Sequence, residues 1–471
     1  MVKHMYMYQK FRNSSLDTGT LALYGGADSS NSVYTPTGAR IVGWTGNSGV
    51  HFCQITGFGD MVFAVDPSAP PGDCVHPVAR TLAEFIRLLH DCQNAELIYM
   101  AYQWSRSLFN EKVSAIRPDY KMRSVLRALE NTYHPPVISD AYGYIMALQQ
   151  EFDYQSLPLH PDYFEWCPVR PGAPRWDVGM NTAFGNYCDR SDAGTELNVN
   201  REFTWQGEKW NIPAIYLCEN GIVLDSYMEV SPARLAKFQQ IWGGIDPDIL
   251  SVEDQMRRQL EDPLKVDAVG KLTVNGKEAP RRPLHSILWN PGAENSWQAR
   301  RTLEHYGLSR ENGYLLRREI FLRKSNNPPI RNMDLLLCAE PVSVPGQRFI
   351  APKNGETMDF IHPVSGDAYT LRVISQTRES LNPNYLSNDP CCYTRLNFTT
   401  DPTIPRELLT IADCDPGDGS ASFNALQSAG KLSGAGHNAI SSLRYTPAEQ
   451  ITWRMIFRQK TRPDINIPIL P

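Results

Sequence analysis

The chain has 471 residues, of which 42% are hydrophobic, 21% charged and 10% aromatic. This apolar content supports packed cores and excludes a largely disordered chain, while the 32 glycines and 35 prolines exclude a long-helix or coiled-coil protein. A formal net charge of −5 argues against a surface built throughout for nucleic acid. At roughly 100–200 residues per domain, the length predicts two to four domains.

Neither a membrane span nor a secretory signal is evident in the sequence. No apolar run reaches the ~18–20 residues that a spanning helix needs, and the first ten residues hold no apolar segment. The ten cysteines are irregularly spaced and form no Cys-x-x-Cys pair. This pattern favours thiols in a reducing compartment over a disulfide scaffold, so we expect a cytoplasmic protein without a membrane partner.

The N-terminal region predicts an α+β domain. Residues 1–36 hold few periodic signals, and short β-type runs separated by glycine turns then predict an antiparallel meander over residues 39–79. A capping box, Thr81-Leu-Ala-Glu84, opens a helix, and Leu82, Phe85, Ile86 and Leu89 lie on its one apolar face. Further helices are predicted at residues 95–111 and 122–131, and a domain boundary near residue 136.

The middle region predicts a mixed domain. A helix is expected over residues 141–151, and two hairpins are expected around Gln206-Gly207 and Asn220-Gly221, since such pairs accept the positive φ angles of tight turns. Ser231-Pro232 opens another helix, because serine caps helices and proline suits their first position. A polar helix over residues 251–260 leads to a second boundary near residue 280.

The C-terminal region predicts mostly β-structure. After a short helix that ends at Gly307, seven strands are expected. They lie at residues 314–322, 333–339, 357–361, 368–375, 393–398, 408–412 and 451–457. The predicted class is therefore α+β, with an N-terminal antiparallel sheet and packed helices (1–135), a mixed middle domain (136–280) and a sandwich-like β-rich domain (281–471).

One segment has a familiar order of elements. Gly57-Phe-Gly-Asp60 opens an apolar strand, Val75-His-Pro-Val-Ala79 forms a second, and Thr81 caps a helix that runs through Leu89. This order resembles the C-terminal half of SUKH (SMI1/KNR4-like) domains over residues 57–89, although the family's usual N-terminal helix is not recognisable before residue 39. The resemblance implies a sheet with a packed helix and, as for many members, a cytoplasmic bacterial immunity protein that binds a toxin partner without catalysis.

Two groups of side chains have spacings that suit metal ions. His51-x-Cys53 and Cys74-x-His76 place pairs on one side of a strand, where they suit zinc, whereas the similar pair at His90 and Cys92 falls on a helix end and diverges by about 200°. The alternative is small buried residues in a sheet, which we favour.

The second group is the acidic segment with Asp413, Asp415 and Asp418. Three carboxylates within six residues suit calcium, but the spacing does not fit an EF-hand, and a solvated turn is the favoured alternative. The glycine-rich residues 428–436 are not a P-loop, because Leu432 stands where that motif requires serine or threonine, so we expect a surface loop.

Residues 281–331 hold ten Lys or Arg against four Glu, among them Arg300 and Arg301. This excess predicts a basic face for an acidic partner or, less favoured, nucleic acid. The alternative, which we favour, is that alternate arginines of strand 314–322 are its solvated side. An aromatic group comprises Trp166, Trp176, Tyr187, Trp205 and Trp210. Such residues serve as interface anchors or sugar platforms, or as core.

Common catalytic signatures are absent from the sequence, including Gly-x-Ser-x-Gly, His-Glu-x-x-His and Gly-x-Gly-x-x-Gly. We therefore expect a non-enzymatic protein that binds another protein, with an immunity-like role and no cofactor. The partner-binding candidates are Trp166, Trp176, Trp205, Trp210, Arg300 and Arg301. The alternative is an enzyme or carbohydrate-binding protein with a site between the β-rich domains.

Overall fold

The structure is a computed structural model that describes residues 2–324, 328–380, 392–415, 437–460 and 462–470. Within these ranges it contains ten α-helices and 21 strands in five antiparallel sheets, which confirms the predicted α+β class. The chain divides into two compact units: Met1–Leu235 with Ala279–Ile330, and Ala236–Glu278 with Arg331–Pro471. The three-domain division drawn from the sequence stays a prediction.

The elements have the following bounds in the described ranges. The helices are α1 (Val2–Arg12), α2 (Leu82–Cys92), α3 (Ala95–Met100), α4 (Arg106–Ala115), α5 (Tyr120–Tyr133), α6 (Ala141–Glu151), α7 (Tyr163–Trp166), α8 (Pro232–Trp242), α9 (Val252–Glu261) and α10 (Trp297–Tyr306). The strands are β1 (Leu23–Tyr24), β2 (Ala39–Thr45), β3 (His51–Ile55), β4 (Val62–Val65), β5 (Val75–Ala79), β6 (Thr195–Trp205), β7 (Glu208–Cys218), β8 (Gly221–Val230), β9 (Ala268–Val274), β10 (Lys277–Glu278), β11 (His285–Trp289), β12 (Gly313–Leu322), β13 (Met333–Ala339), β14 (Val342–Ile350), β15 (Thr357–Ile361), β16 (Ala368–Ser380), β17 (Cys392–Asp401), β18 (Leu409–Asp413), β19 (His437–Ile440), β20 (Thr452–Gln459) and β21 (Ile465–Leu470). None of these helices is both long and apolar enough to span a membrane.

The first unit begins with an antiparallel meander, β1 to β5 in chain order, as predicted. Helix α2 buries its predicted apolar face against this sheet, where Phe85 packs on Phe52 with ring centroids 4.8 Å apart. The side chain of Thr81 caps α2: its Oγ1 accepts from the Glu84 N–H (3.2 Å) and donates to the Glu84 carboxylate (2.8 Å). The threonine hydroxyl therefore serves both the backbone and the carboxylate of Glu84.

Two helical predictions in this unit need correction. The predicted helix at residues 95–111 is two helices, α3 and α4, because Ser105 Oγ caps α4 by accepting from the Leu108 N–H (3.1 Å). Helix α1 lies in the segment where the sequence shows few signals. Its eleven residues carry no acidic residue in the first turn and no regular apolar spacing, which is why periodicity misses it.

The second sheet of the first unit has the order β11-β12-β8-β7-β6. The predicted turn at Gln206-Gly207 is present, with φ of 55° and 79°. In the next hairpin the turn residues are Glu219-Asn220, since Cys218 pairs with Gly221. A Cβ on Gly221 would lie 2.5 Å from the Phe321 carbonyl oxygen, so glycine there permits the close approach of β12.

The second unit contains the other three sheets, ordered β10-β9-β13-β21, β14-β20-β18 and β15-β16-β17-β19. The last two share one core, to which Phe349 and Trp453 contribute from one sheet and Leu371 and Leu396 from the other. Two sheets packed on a common core form the sandwich-like arrangement that the sequence predicts. The turn Asn275-Gly276 joins β9 and β10, and both residues have positive φ.

Candidate functional site

Helix α7 presents two large aromatic side chains to solvent. Phe164 is 55% exposed and Trp166 67% exposed, whereas Tyr163 of the same helix is fully buried. The Tyr163 hydroxyl donates to the Val169 carbonyl oxygen (2.9 Å) and lies 3.3 Å from Cys74 Sγ, and burial raises its pKa. The buried tyrosine therefore anchors the helix that carries the two exposed rings. We call Phe164, Glu165 and Trp166 the aromatic corner.

Two exposed acidic residues lie within or next to the aromatic corner in the sequence. Glu165 is exposed between the two rings, and the side chain of Asp162, one residue before α7, is more than half exposed. His160 Nδ1 lies 3.8 Å from Asp162 Oδ2. Apolar rings beside carboxylates are complementary to an apolar pocket with a basic rim on another protein.

The other tryptophans of the predicted aromatic group have interior roles. Trp205 and Trp210 are buried with ring centroids 5.8 Å apart. These two tryptophans are therefore core residues rather than interface anchors or sugar platforms. Trp176 is partly buried, stacks on His305 at 4.1 Å and donates its N–H to the Tyr216 hydroxyl (2.8 Å). Tyr187 lies under the Arg175 guanidinium at 4.6 Å. Of the four tryptophan candidates, only Trp166 offers most of its surface to a partner.

The predicted zinc pairs do not converge. Cys53 and Cys74 pack in the cluster on one face of the meander, and burial raises the pKa of each thiol to about 12. His51 Nε2 lies 3.3 Å from Thr35 Oγ1, and His51 Nδ1 lies 2.8 Å from the Gly49 carbonyl oxygen. The His76 ring stacks on Tyr102 with ring centroids 4.3 Å apart. Within the described residues no group of three or more such side chains is placed to hold a metal ion, and no disulfide joins the cysteines.

The carboxylates of Asp413 and Asp415 in the acidic segment form ion pairs with an arginine of the same chain. Arg444 pairs with Asp413 at 2.8 Å and with Asp415 at 3.7 Å, and the Asp413 carboxylate also accepts from the Ser442 N–H (3.1 Å). This guanidinium is therefore the counter-ion of both described carboxylates. Asp418 and the glycine-rich residues 428–436 lie outside the described residues.

Arg300 and Arg301 are buried and share one carboxylate. Both guanidiniums bind Asp73, and Arg300 also binds Glu304 at 2.7 Å. Burial raises the pKa of Glu304, but the guanidiniums of Arg300 and Arg310 more than offset this effect and hold it below its usual value. Neither arginine therefore presents a free charge at the surface.

A second buried network lies between the sheet and helix α10. Arg318 binds Asp225, and the Tyr306 hydroxyl donates to the same carboxylate (2.6 Å). The hydroxyl oxygens of Tyr216 and Tyr306 are hydrogen-bonded, 2.8 Å apart. Because the Trp176 N–H can only donate, the chain of donation runs from Trp176 through both tyrosines to Asp225. The prediction that the arginines of this strand are solvated is therefore wrong for Arg317 and Arg318, which are fully buried.

The two networks support one irregular segment, which we call the cavity loop (residues 179–193). Arg318 donates to the Thr182 carbonyl oxygen (3.0 Å) and Arg301 to that of Gly185 (3.4 Å). Phe184 of this loop is buried in the core. The loop lines a cavity of about 960 Å³ in the first unit. Its wall is completed by residues from four other places, namely Pro71, Cys218–Asn220, Arg282 with Leu322, and Trp297 with Arg301.

Neither the cavity nor the residues that support it are predicted from the sequence. The consecutive charges Arg317-Arg318-Glu319 in an otherwise apolar strand were the available signal, because three successive residues cannot all face solvent in a strand. Comparison of the chain with protein-family models, with curated proteins and with solved structures finds no match.

Proposed function

We propose that the protein is a non-enzymatic binding protein that holds another protein through the aromatic corner. The observation that carries this proposal is the exposure of Phe164 and Trp166 on a helix that the buried Tyr163 anchors. Aromatic side chains that are ordered before binding lose little conformational entropy in a complex, and tryptophan is the residue most enriched at interface hot spots. The partner is a protein with an apolar pocket that is rimmed by Lys or Arg.

The arrangement of the first unit supports an immunity-like version of this proposal. The SUKH-like segment lies on an antiparallel sheet with α2 packed on it, and α1 supplies a helix before that sheet. These are the elements that the resemblance implies. A cytoplasmic location, expected from the cysteine pattern, belongs to the same proposal.

The carboxylates of the two buried ion-pair networks do not supply a general acid or base. Asp73, Asp225 and Glu304 are engaged by arginines in ion pairs. A general acid or base needs a proton that it can exchange with substrate, whereas these carboxylates serve as structural counter-ions.

The test is capture of the partner by the full chain from a lysate of the native source, with three baits compared side by side. The baits are the wild type, Trp166→Ala and Tyr120→Ala. Tyr120 is the matched control because it is another exposed aromatic of the first unit, 82% exposed and remote in sequence from α7. We expect one protein that the wild type and Tyr120→Ala retain and Trp166→Ala loses. Equal retention by all three baits, or no retained protein, overturns the proposal.

A further inference from the structure

We propose that the cavity of the first unit is a binding site for a carbohydrate, that is, a neutral polyhydroxylated ligand. This site is distinct from the aromatic corner and does not depend on it. The cavity of about 960 Å³ lies within the range of roughly 300–1,000 Å³ typical of small-molecule sites and has room for more than one sugar ring.

The cavity is built into the fold. Arg301 lines it while almost fully buried, and it holds the cavity loop through the Gly185 carbonyl oxygen. Gly185 has φ of 70°, and a Cβ there would lie 2.6 Å from the Gln298 Cα, so this position demands glycine for close packing on α10. A loop fixed from beneath in this way presents its side chains without a large ordering cost on binding.

The lining offers hydrogen-bond donors and acceptors side by side. Arg282 and the amides of Asn186 and Asn220 supply donors, and the carboxylates of Asp189, Asp192 and Glu219 supply acceptors. All three acidic residues are exposed, so their carboxylate oxygens are accessible to a ligand in the cavity. A hydroxyl both donates and accepts, so a polyhydroxylated molecule matches such a wall.

The same lining disfavours other classes of ligand. The three carboxylates repel an anion, and the test below separates a polyhydroxylated ligand from an organic cation. A wholly apolar ligand would leave the polar groups desolvated and unpaired. Trp297 adds an aromatic wall, with the Arg301 guanidinium 4.9 Å from its ring centroid. Because this guanidinium covers one face of the ring, a sugar would stack its C–H face on the other.

The test measures binding of defined probes to the full chain by calorimetry and by saturation-transfer NMR. The neutral probes are maltotriose, cellotriose and triacetylchitotriose, and the charged probes are spermidine and ATP. We expect at least one trisaccharide to bind, and Asn186→Ala and Asp192→Asn each to weaken that binding at least tenfold. Both side chains are exposed, so neither substitution disturbs the core.

Tyr120→Ala is the control and should leave the affinity for the trisaccharide within twofold of the wild type. Three outcomes overturn the proposal: no trisaccharide binds, only spermidine or ATP binds, or the two cavity variants bind the trisaccharide as the wild type does.

Discussion

The guanidinium of Arg318 and the carboxylate of Asp225 form a bidentate ion pair, with two N–O distances of 2.7 Å. The two residues are direct register partners on β12 and β8, and both are fully buried. The Tyr306 hydroxyl and the Thr182 carbonyl satisfy further hydrogen-bonding positions of the pair. One ion pair therefore ties together two strands, helix α10 and the cavity loop.

Loss of this ion pair should destabilise the protein strongly. We expect Asp225→Asn to lower the free energy of unfolding by about 3–5 kcal/mol, because it leaves the Arg318 charge buried without its counter-ion. The control is Glu151→Gln, which breaks the exposed pair with Arg80 and should cost less than about 1 kcal/mol. Urea unfolding measures both. If both variants lose a similar amount of unfolding free energy, the buried ion pair stabilises the protein no more than the exposed one does.

The close packing of the cavity loop on α10 can be tested with two glycines. Gly185 and Gly207 both have positive φ, but only the Cβ built on Gly185 meets neighbouring atoms. We expect Gly207→Ala to cost about 1 kcal/mol from backbone strain, and Gly185→Ala to cost about 1–3 kcal/mol more from the clash with Gln298. Thermal unfolding of both variants gives the comparison, and equal costs would contradict the proposed packing.

Stability should fall in acid through His76. Burial lowers the pKa of His76 from 6.5 to about 4, in a site where it faces Asp73, Arg300, Glu304, Tyr102 and Tyr154. Between these pH values the unfolded chain binds more protons than the folded protein. The contribution of His76 is therefore complete above pH 6.5 and is lost as the pH falls toward 4, by an amount on the order of 2–3 kcal/mol.

Two measurements check this prediction. NMR titration should place the His76 imidazole transition near pH 4, and His76→Gln should flatten the dependence of the unfolding free energy on pH between 6.5 and 4. A His76 transition near pH 6.5, or an unchanged slope in the variant, would show that burial does not perturb this group.

Local patterns predicted much of the fold for identifiable reasons. The apolar face of α2 and its Thr81 cap are encoded within twelve residues, and Gln206-Gly207 encodes its turn directly. The pairing of β8 with β12 has no such local signal, since Arg318 lies 93 residues beyond Asp225. Until that partner is known, an arginine in a strand looks like a solvated residue.

The candidate sites, too, depend partly on local sequence and partly on residues that are distant in the chain. The sequence identified Trp166 as an aromatic of interest but did not separate it from Trp205 and Trp210, because exposure depends on tertiary packing. The cavity loop has an irregular backbone whose supports, Arg301 and Arg318, lie more than one hundred residues away in the chain. No periodicity reveals such a site.

The affinity of the captured partner for the aromatic corner is the most direct test of the proposed function. We predict that the double variant Phe164→Ala/Trp166→Ala raises the Kd at least about 100-fold, as expected for two hot-spot side chains that each contribute 1–2 kcal/mol or more. Tyr120→Ala should change the Kd less than twofold. A Kd for the double variant within threefold of the wild type would contradict the account.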